Sequence, residues 1–121
     1  MEKITMKGTF DTPAVVLDSD AGQIELAGRS LPEDTTTFYR PILNWVDEYL
    51  VQPKSNTEIA IKLEYFNTAT SKVLLNLLSK FENTTNVTVH WFHYSEDEDM
   101  LESGKEFEEL VRLPFAYHTF D

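Results

Sequence analysis

The stretch Thr57-Glu58-Ile59-Ala60-Ile61-Lys62-Leu63-Glu64-Tyr65-Phe66-Asn67-Thr68-Ala69-Thr70-Ser71-Lys72-Val73-Leu74-Leu75-Asn76-Leu77-Leu78 changes its hydrophobic period part-way along. Before Asn67, Ile59, Ile61, Leu63 and Tyr65 alternate with Glu58, Ala60, Lys62 and Glu64, the period of a strand with one buried face. After it, Leu74, Leu77, Leu78 and Phe81 share a helical stripe that Val73 and Leu75 broaden, which predicts a buried helix from about Thr70 to Glu82. A strand that feeds a helix directly is half of a crossover, so the fold class is α/β.

The flanking segments extend that unit. Upstream, Pro13–Asp18 and Gln23–Gly28 are short apolar or alternating runs around the turn Ser19-Asp20-Ala21-Gly22, a β-hairpin pattern. Met1–Thr12 reads as a loosely held lead-in. Leu31-Pro32-Glu33-Asp34 breaks the sheet, and Thr35-Thr36-Thr37 offers caps for a first helix, with Phe38, Ile42, Trp45, Val46 and Tyr49 on its apolar face. Pro41 is comfortable only in a first turn, so the helix either starts near Thr37–Arg40 or kinks there.

Downstream, Val87–Tyr94 alternates as a second strand of the crossover, and Ser95 is a candidate cap for a helix over Glu96–Arg112 that Gly104 weakens. Leu113–Phe120 is a tail, read as an edge strand or a docked extension. The resulting expectation is one domain over residues 1–121, a β-β-α-β-α-β-α sandwich in which helices pack a mixed sheet.

Composition narrows the function classes. The chain has 121 residues, a formal net charge of −11 and no cysteine. That charge repels a phosphate backbone, so nucleic acid is not an expected partner, whereas a basic protein surface is. No disulfide or thiolate metal site can form. No apolar run approaches membrane-spanning length and Met1–Phe10 lacks a signal-peptide core, so no membrane insertion and a cytoplasmic location are expected.

Chemistry-bearing residues are sparse. His90 and His93 lie three apart on a strand and face opposite ways, and His118 is in the tail, so no metal is expected from the histidines. Glu96-Asp97-Glu98-Asp99 lacks the spacing of a calcium loop and suits a helix start, where the dipole favours acids. Ser71 has no evident base, and the four glycines are too scattered for a phosphate loop. No catalytic residue or cofactor is assigned, and the expectation is a non-enzyme. Two rivals stay in view: a small acidic enzyme using Glu64 or Glu102 as acid or base, and a constitutive structural subunit.

The hydroxyls at the change of period remain. Thr68, Thr70 and Ser71, with Ala69 between them, stand where a helix begins. One reading is a simple N-cap, the usual role of Ser, Thr and Asn there. The other is a phosphate-accepting side chain, because free N–H groups and the dipole favour negative charge at that end.

The chain resembles the SiaC-type regulatory phosphoproteins of bacteria over nearly its whole length. The residues that carry the likeness are Thr12-Pro13, Gly28-Arg29-Ser30, Phe38-Tyr39 through Pro41 to Trp45, Leu63 to Thr68, Ser71-Lys72, Glu98 to Gly104, and Leu113-Pro114-Phe115, in that order and spacing. The resemblance implies a layout similar to the STAS-type anti-sigma-factor antagonists. It also implies a partner switch: a Ser/Thr protein kinase phosphorylates the threonine matching Thr68, a metal-dependent protein phosphatase reverses this, and the unphosphorylated form activates a diguanylate cyclase, favouring biofilm. Relatives often follow the threonine with serines, whereas Ala69-Thr70-Ser71 stands here, leaving Thr70 and Ser71 as backup acceptors. Tyr65, Asn67, Thr68, Ser71 and Lys72 are the expected partner-binding surface.

Overall fold

A computed structural model describes all residues, Met1–Asp121. Its elements are β1 (Ile4–Met6), β2 (Ala14–Asp18), β3 (Gln23–Ser30), α1 (Thr35–Tyr49), β4 (Thr57–Phe66), α2 (Thr68–Ser79), β5 (Val87–His93), α3 (Glu98–Leu110) and β6 (Phe115–Thr119). The strands form one sheet in the order β1-β2-β3-β4-β5-β6. β1 and β2 pair antiparallel, as do β2 and β3, while β3 to β6 run parallel. The expected mixed sheet with packed helices is therefore present. Two elements extend it: the lead-in contributes β1, and the tail is a parallel edge strand, which makes three crossovers.

All three crossovers step one strand in the same direction. Right-handed connections then put α1, α2 and α3 on one face. Val15 and Leu17, Ile24 and Leu26, Ile59, Ile61 and Leu63, and Val89 and Trp91 point into the core beneath them. The other face is uncovered and carries alternating polar residues, among them the pairs Lys62–Glu25 at 3.0 Å and His90–Glu58 at 2.9 Å.

Four local expectations are corrected. Helix α1 starts at Thr35, capped by Asp34 rather than by a threonine: Asp34 Oδ1 accepts the Thr37 N–H at 3.1 Å and Oδ2 the Thr37 hydroxyl at 2.8 Å. Pro41 lies inside α1. The carbonyl that loses its partner belongs to Thr37, which is exposed to water, so the helix tolerates the missing N–H. Helix α3 is capped by Asp97, which accepts from the Met100 N–H at 3.0 Å, while Ser95 donates to Asp121 from both its N–H and its hydroxyl. Last, the β3–β4 register jumps from Gly28↔Leu63 to Arg29↔Tyr65, leaving Glu64 as a bulge. The bulge inverts the alternation: Phe66 turns inward, its ring 6.2 Å from Trp91 and 6.3 Å from Phe107, and Tyr65 turns out.

Candidate functional site

The change of period at Asn67 is built as a tight strand-to-helix junction. Asn67 is extended (φ −91°, ψ 176°) and caps α2, its Oδ1 accepting the Thr70 N–H at 2.9 Å and its carbonyl the Ser71 N–H at 3.0 Å. Its own N–H donates to the Ser30 carbonyl at 3.2 Å, which ties the junction to the end of β3. Thr68 is the first helical residue and is exposed, as are Ala69 and Lys72.

Thr70 is different. Its side chain is fully buried among hydroxyls from three elements. The Thr70 hydroxyl donates to the Ser30 carbonyl at 3.0 Å and lies 2.9 Å from Ser30 Oγ, which is 2.6 Å from the Tyr39 hydroxyl. Each hydroxyl has one proton. Thr70 uses its proton on the Ser30 carbonyl, so Ser30 must donate to Thr70 Oγ1 and Tyr39 to Ser30 Oγ. The chain is directed, Tyr39 to Ser30 to Thr70 to backbone, and leaves no buried hydroxyl hydrogen unpaired. Burial pushes the Tyr39 hydroxyl up to about 12, against the opposing pull of the Ser30 and Thr70 hydroxyls.

Of the residues singled out from sequence, Asn67, Thr68, Ser71 and Lys72 share the junction, with Ser71 half-buried. Tyr65 does not join them. Beyond the Glu64 bulge it faces the uncovered side, 46% exposed, with the Arg29 guanidinium 5.4 Å from its ring and 4.7 Å from that of Phe10. Thr70 is withdrawn from the accessible surface. Ser30 and Tyr39 were not singled out for this site. Ser30 was detectable as a polar residue closing the apolar side of an otherwise alternating strand.

Helices α2 and α3 leave a groove between them of about 140 Å³. Phe66, Leu75, Phe107 and Leu110 give it an apolar lining, Ser71 contributes a hydroxyl, and Lys72 and Glu106 are its charges. Leu110 is 64% exposed.

The rival chemistries are not assembled. Glu64 is on the uncovered side, accepting from the Tyr94 hydroxyl at 3.3 Å, and Glu102 is exposed on α3 over the opposite face. The two carboxylates do not converge on one cleft. His93 faces the core and donates from Nδ1 to the Tyr94 carbonyl at 2.8 Å, while His90 Nδ1 lies 2.9 Å from His118 Nε2 on the uncovered face. No group of three or more histidine or acidic side chains is arranged to hold a metal ion. No helix is long and apolar enough to cross a membrane.

Comparison with known proteins agrees with this architecture. An uncharacterized protein of Pseudomonas aeruginosa (strain UCBPP-PA14) is 28% identical over 125 residues, covering 100% of this chain and 99% of that one. The crystal structure of apo-SiaC from Pseudomonas aeruginosa matches with a TM-score of 0.86 at 26% identity, covering 98% of this chain and 99% of that one. A chain in the crystal structure of diguanylate cyclase SiaD in complex with its activator SiaC, from the same organism, matches with a TM-score of 0.90 at 28% identity, covering 96% and 98%. The family model of SiaC family regulatory phosphoproteins matches residues 6–120. With nearly the whole chain matched, this protein belongs to the SiaC family of regulatory phosphoproteins.

Proposed function

We propose that this protein is a non-enzymatic phospho-switch whose unphosphorylated form binds and activates a diguanylate cyclase, and that phosphorylation of Thr68 blocks that binding. A Ser/Thr protein kinase adds the phosphoryl group: the Thr68 Oγ1–P bond forms, the hydroxyl proton departs and ADP leaves. A metal-dependent protein phosphatase hydrolyses it. The kinase consumes ATP and the cyclase GTP, both cytoplasmic nucleotides, so the cytoplasm is where the protein acts. Support for the cyclase comes from the similar SiaC solved with SiaD. The observation that carries the choice of residue is the contrast at the junction: Thr68 is exposed on a capped helix end, whereas Thr70 is fully buried with its proton committed. Phosphorylating Thr70 would require unwinding the first turn, which leaves Ser71 as the second accessible hydroxyl.

The magnitudes favour occlusion of the surface over refolding. A charge at an exposed helix N-terminus is worth about 0.3–1 kcal/mol and stabilises the helix. Driving a two-state fold from one form to the other needs about 5.5 kcal/mol. Phosphate adds about two negative charges and bulk to a surface that a partner would have to desolvate.

The test is to treat the protein with its kinase and ATP, map the phosphate by mass spectrometry, and measure cyclase binding and activity. Phosphate on Thr68, a Thr68→Ala variant that resists modification yet still activates, and loss of binding on phosphorylation are the expected results. A phosphate confined to Ser71, or a phosphorylated form that binds the cyclase as tightly as the unmodified one, would overturn the proposal.

A further inference from the structure

Lys72 is an exposed cation of α2 that belongs to none of the salt bridges in the structure; Lys62 and Lys80, by contrast, pair with Glu25 and Asp47 at 3.0 and 2.8 Å. It follows Thr68 by four residues on the same helix, so the two side chains occupy one face about 5–6 Å apart at Cβ. Helical side chains lean toward the N-terminus, a direction from which the Lys72 ammonium, now at the α2–α3 groove, can reach the turn bearing Thr68. The first turn of α2 contains no acidic residue. A negative group at Thr68 would therefore be the first acidic partner for Lys72 on its own helix, in the favourable order of acid before base, and would compete for it with Glu106 across the groove.

We propose that Lys72 is the internal counter-ion of phosphothreonine at position 68. This rests on the reading of Thr68 as the acceptor and adds how the modified state is held. The ammonium draws the phosphate over the exposed start of α2, so that it is fixed across the junction instead of swinging freely in water. The same pairing takes Lys72 away from the α2–α3 groove, where Glu106 is the other charge. Thr68 and Lys72 then act as one unit: a hydroxyl beside a free cation before modification, a closed ion pair after it.

The experiment uses the full chain carrying phosphothreonine installed at position 68 by semisynthesis, titrated by phosphorus NMR. The pair should lower the second phosphate ionisation by about 0.2–0.4 pH units relative to Lys72→Met, the size of an exposed i,i+4 ion pair. Lys72→Arg should restore the shift. The difference should shrink at about 1 M salt, where screening acts within about 3 Å. Superimposable titrations of the parent protein and Lys72→Met at low salt would overturn the proposal. Because the phosphate is installed chemically, this result is independent of the kinase. A kinase that leaves Thr68 unmodified defeats the functional reading, and unchanged titrations defeat the Lys72 pairing.

Discussion

The Thr70 hydroxyl lies 2.9 Å from that of Ser30, forty residues earlier, and donates to the carbonyl of the same residue at 3.0 Å. This double contact fastens the first turn of α2 to the end of β3, and Tyr39 extends it to α1. Its donor direction predicts an asymmetry. Tyr39→Phe removes the first donor and leaves Ser30 with its acceptor, so the loss is one net hydrogen bond, about 0.5–1.5 kcal/mol. Thr70→Val removes the acceptor of the Ser30 proton and strands a buried hydroxyl hydrogen, costing about 1–3 kcal/mol. Urea denaturation should rank Thr70→Val as the less stable, and Thr70→Ser should recover most of the loss. Equal losses would refute the directed chain.

Tyr39 also predicts alkaline behaviour. Its hydroxyl is raised from an ordinary value of 10.0 to about 12, first by burial. A group raised on folding contributes stability that is complete below its unfolded value and is lost as pH rises toward the folded one. Stability should therefore fall between about pH 10 and pH 12 as the unfolded chain gains the phenolate. In Tyr39→Phe the fall over that window should be shallower, and the tyrosinate step near pH 12 should be lost from the 295-nm absorbance titration, while the still more strongly raised Tyr117 keeps its own.

Gly104 sits against the indole of Trp91. A Cβ at that position would lie 2.6 Å from Trp91 Cδ1 and 2.7 Å from Nε1. Trp91 is fully buried and donates from Nε1 to the Met100 carbonyl at 2.9 Å, so it has little room to yield. Gly104→Ala would gain about 1 kcal/mol of helix propensity but lose on the order of 1–3 kcal/mol to overpacking. The expected balance is destabilisation, with a change in tryptophan emission in the native state. An Ala variant more stable than the parent would show that α3 can slide off the indole.

Gly104 marks where pattern reading stops. Its cost to a helix is visible in sequence, but the reason for accepting that cost lies in Trp91, thirteen positions away and on another element. The strand Thr57–Phe66 and the helix after it were legible because one face of each is uniformly apolar. The Glu64 bulge was not legible, since alternation carries no signal for an inserted residue, and so Tyr65 was placed on the wrong face. β1 and β6 were obscured for a related reason: edge strands bury little and need no strict alternation, leaving Ile4–Met6 and Phe115–Thr119 to be decided by their pairing. At the junction, the hydroxyl cluster was evident, but its division into an exposed Thr68 and a buried Thr70 depended on Ser30 and Tyr39, which no local pattern connects to it.

That division yields the last prediction, which separates a surface switch from a folding switch. Thr68 is exposed at the first position of α2, and the first turn beneath it is held by Asn67 and by the buried hydroxyls. A negative side chain there meets the favourable end of the helix dipole and disturbs no core contact. Thr68→Glu should melt at the parent temperature or slightly above it, with a gain of at most about 1 kcal/mol and an unchanged far-ultraviolet circular dichroism spectrum. Thr68→Ala should likewise retain the parent spectrum. If Thr68→Glu also loses affinity for the cyclase while its melting is preserved, the charge acts at the surface where it sits. A variant that loses binding only together with several degrees of thermal stability would instead place the switch in the packing of α2 against β3.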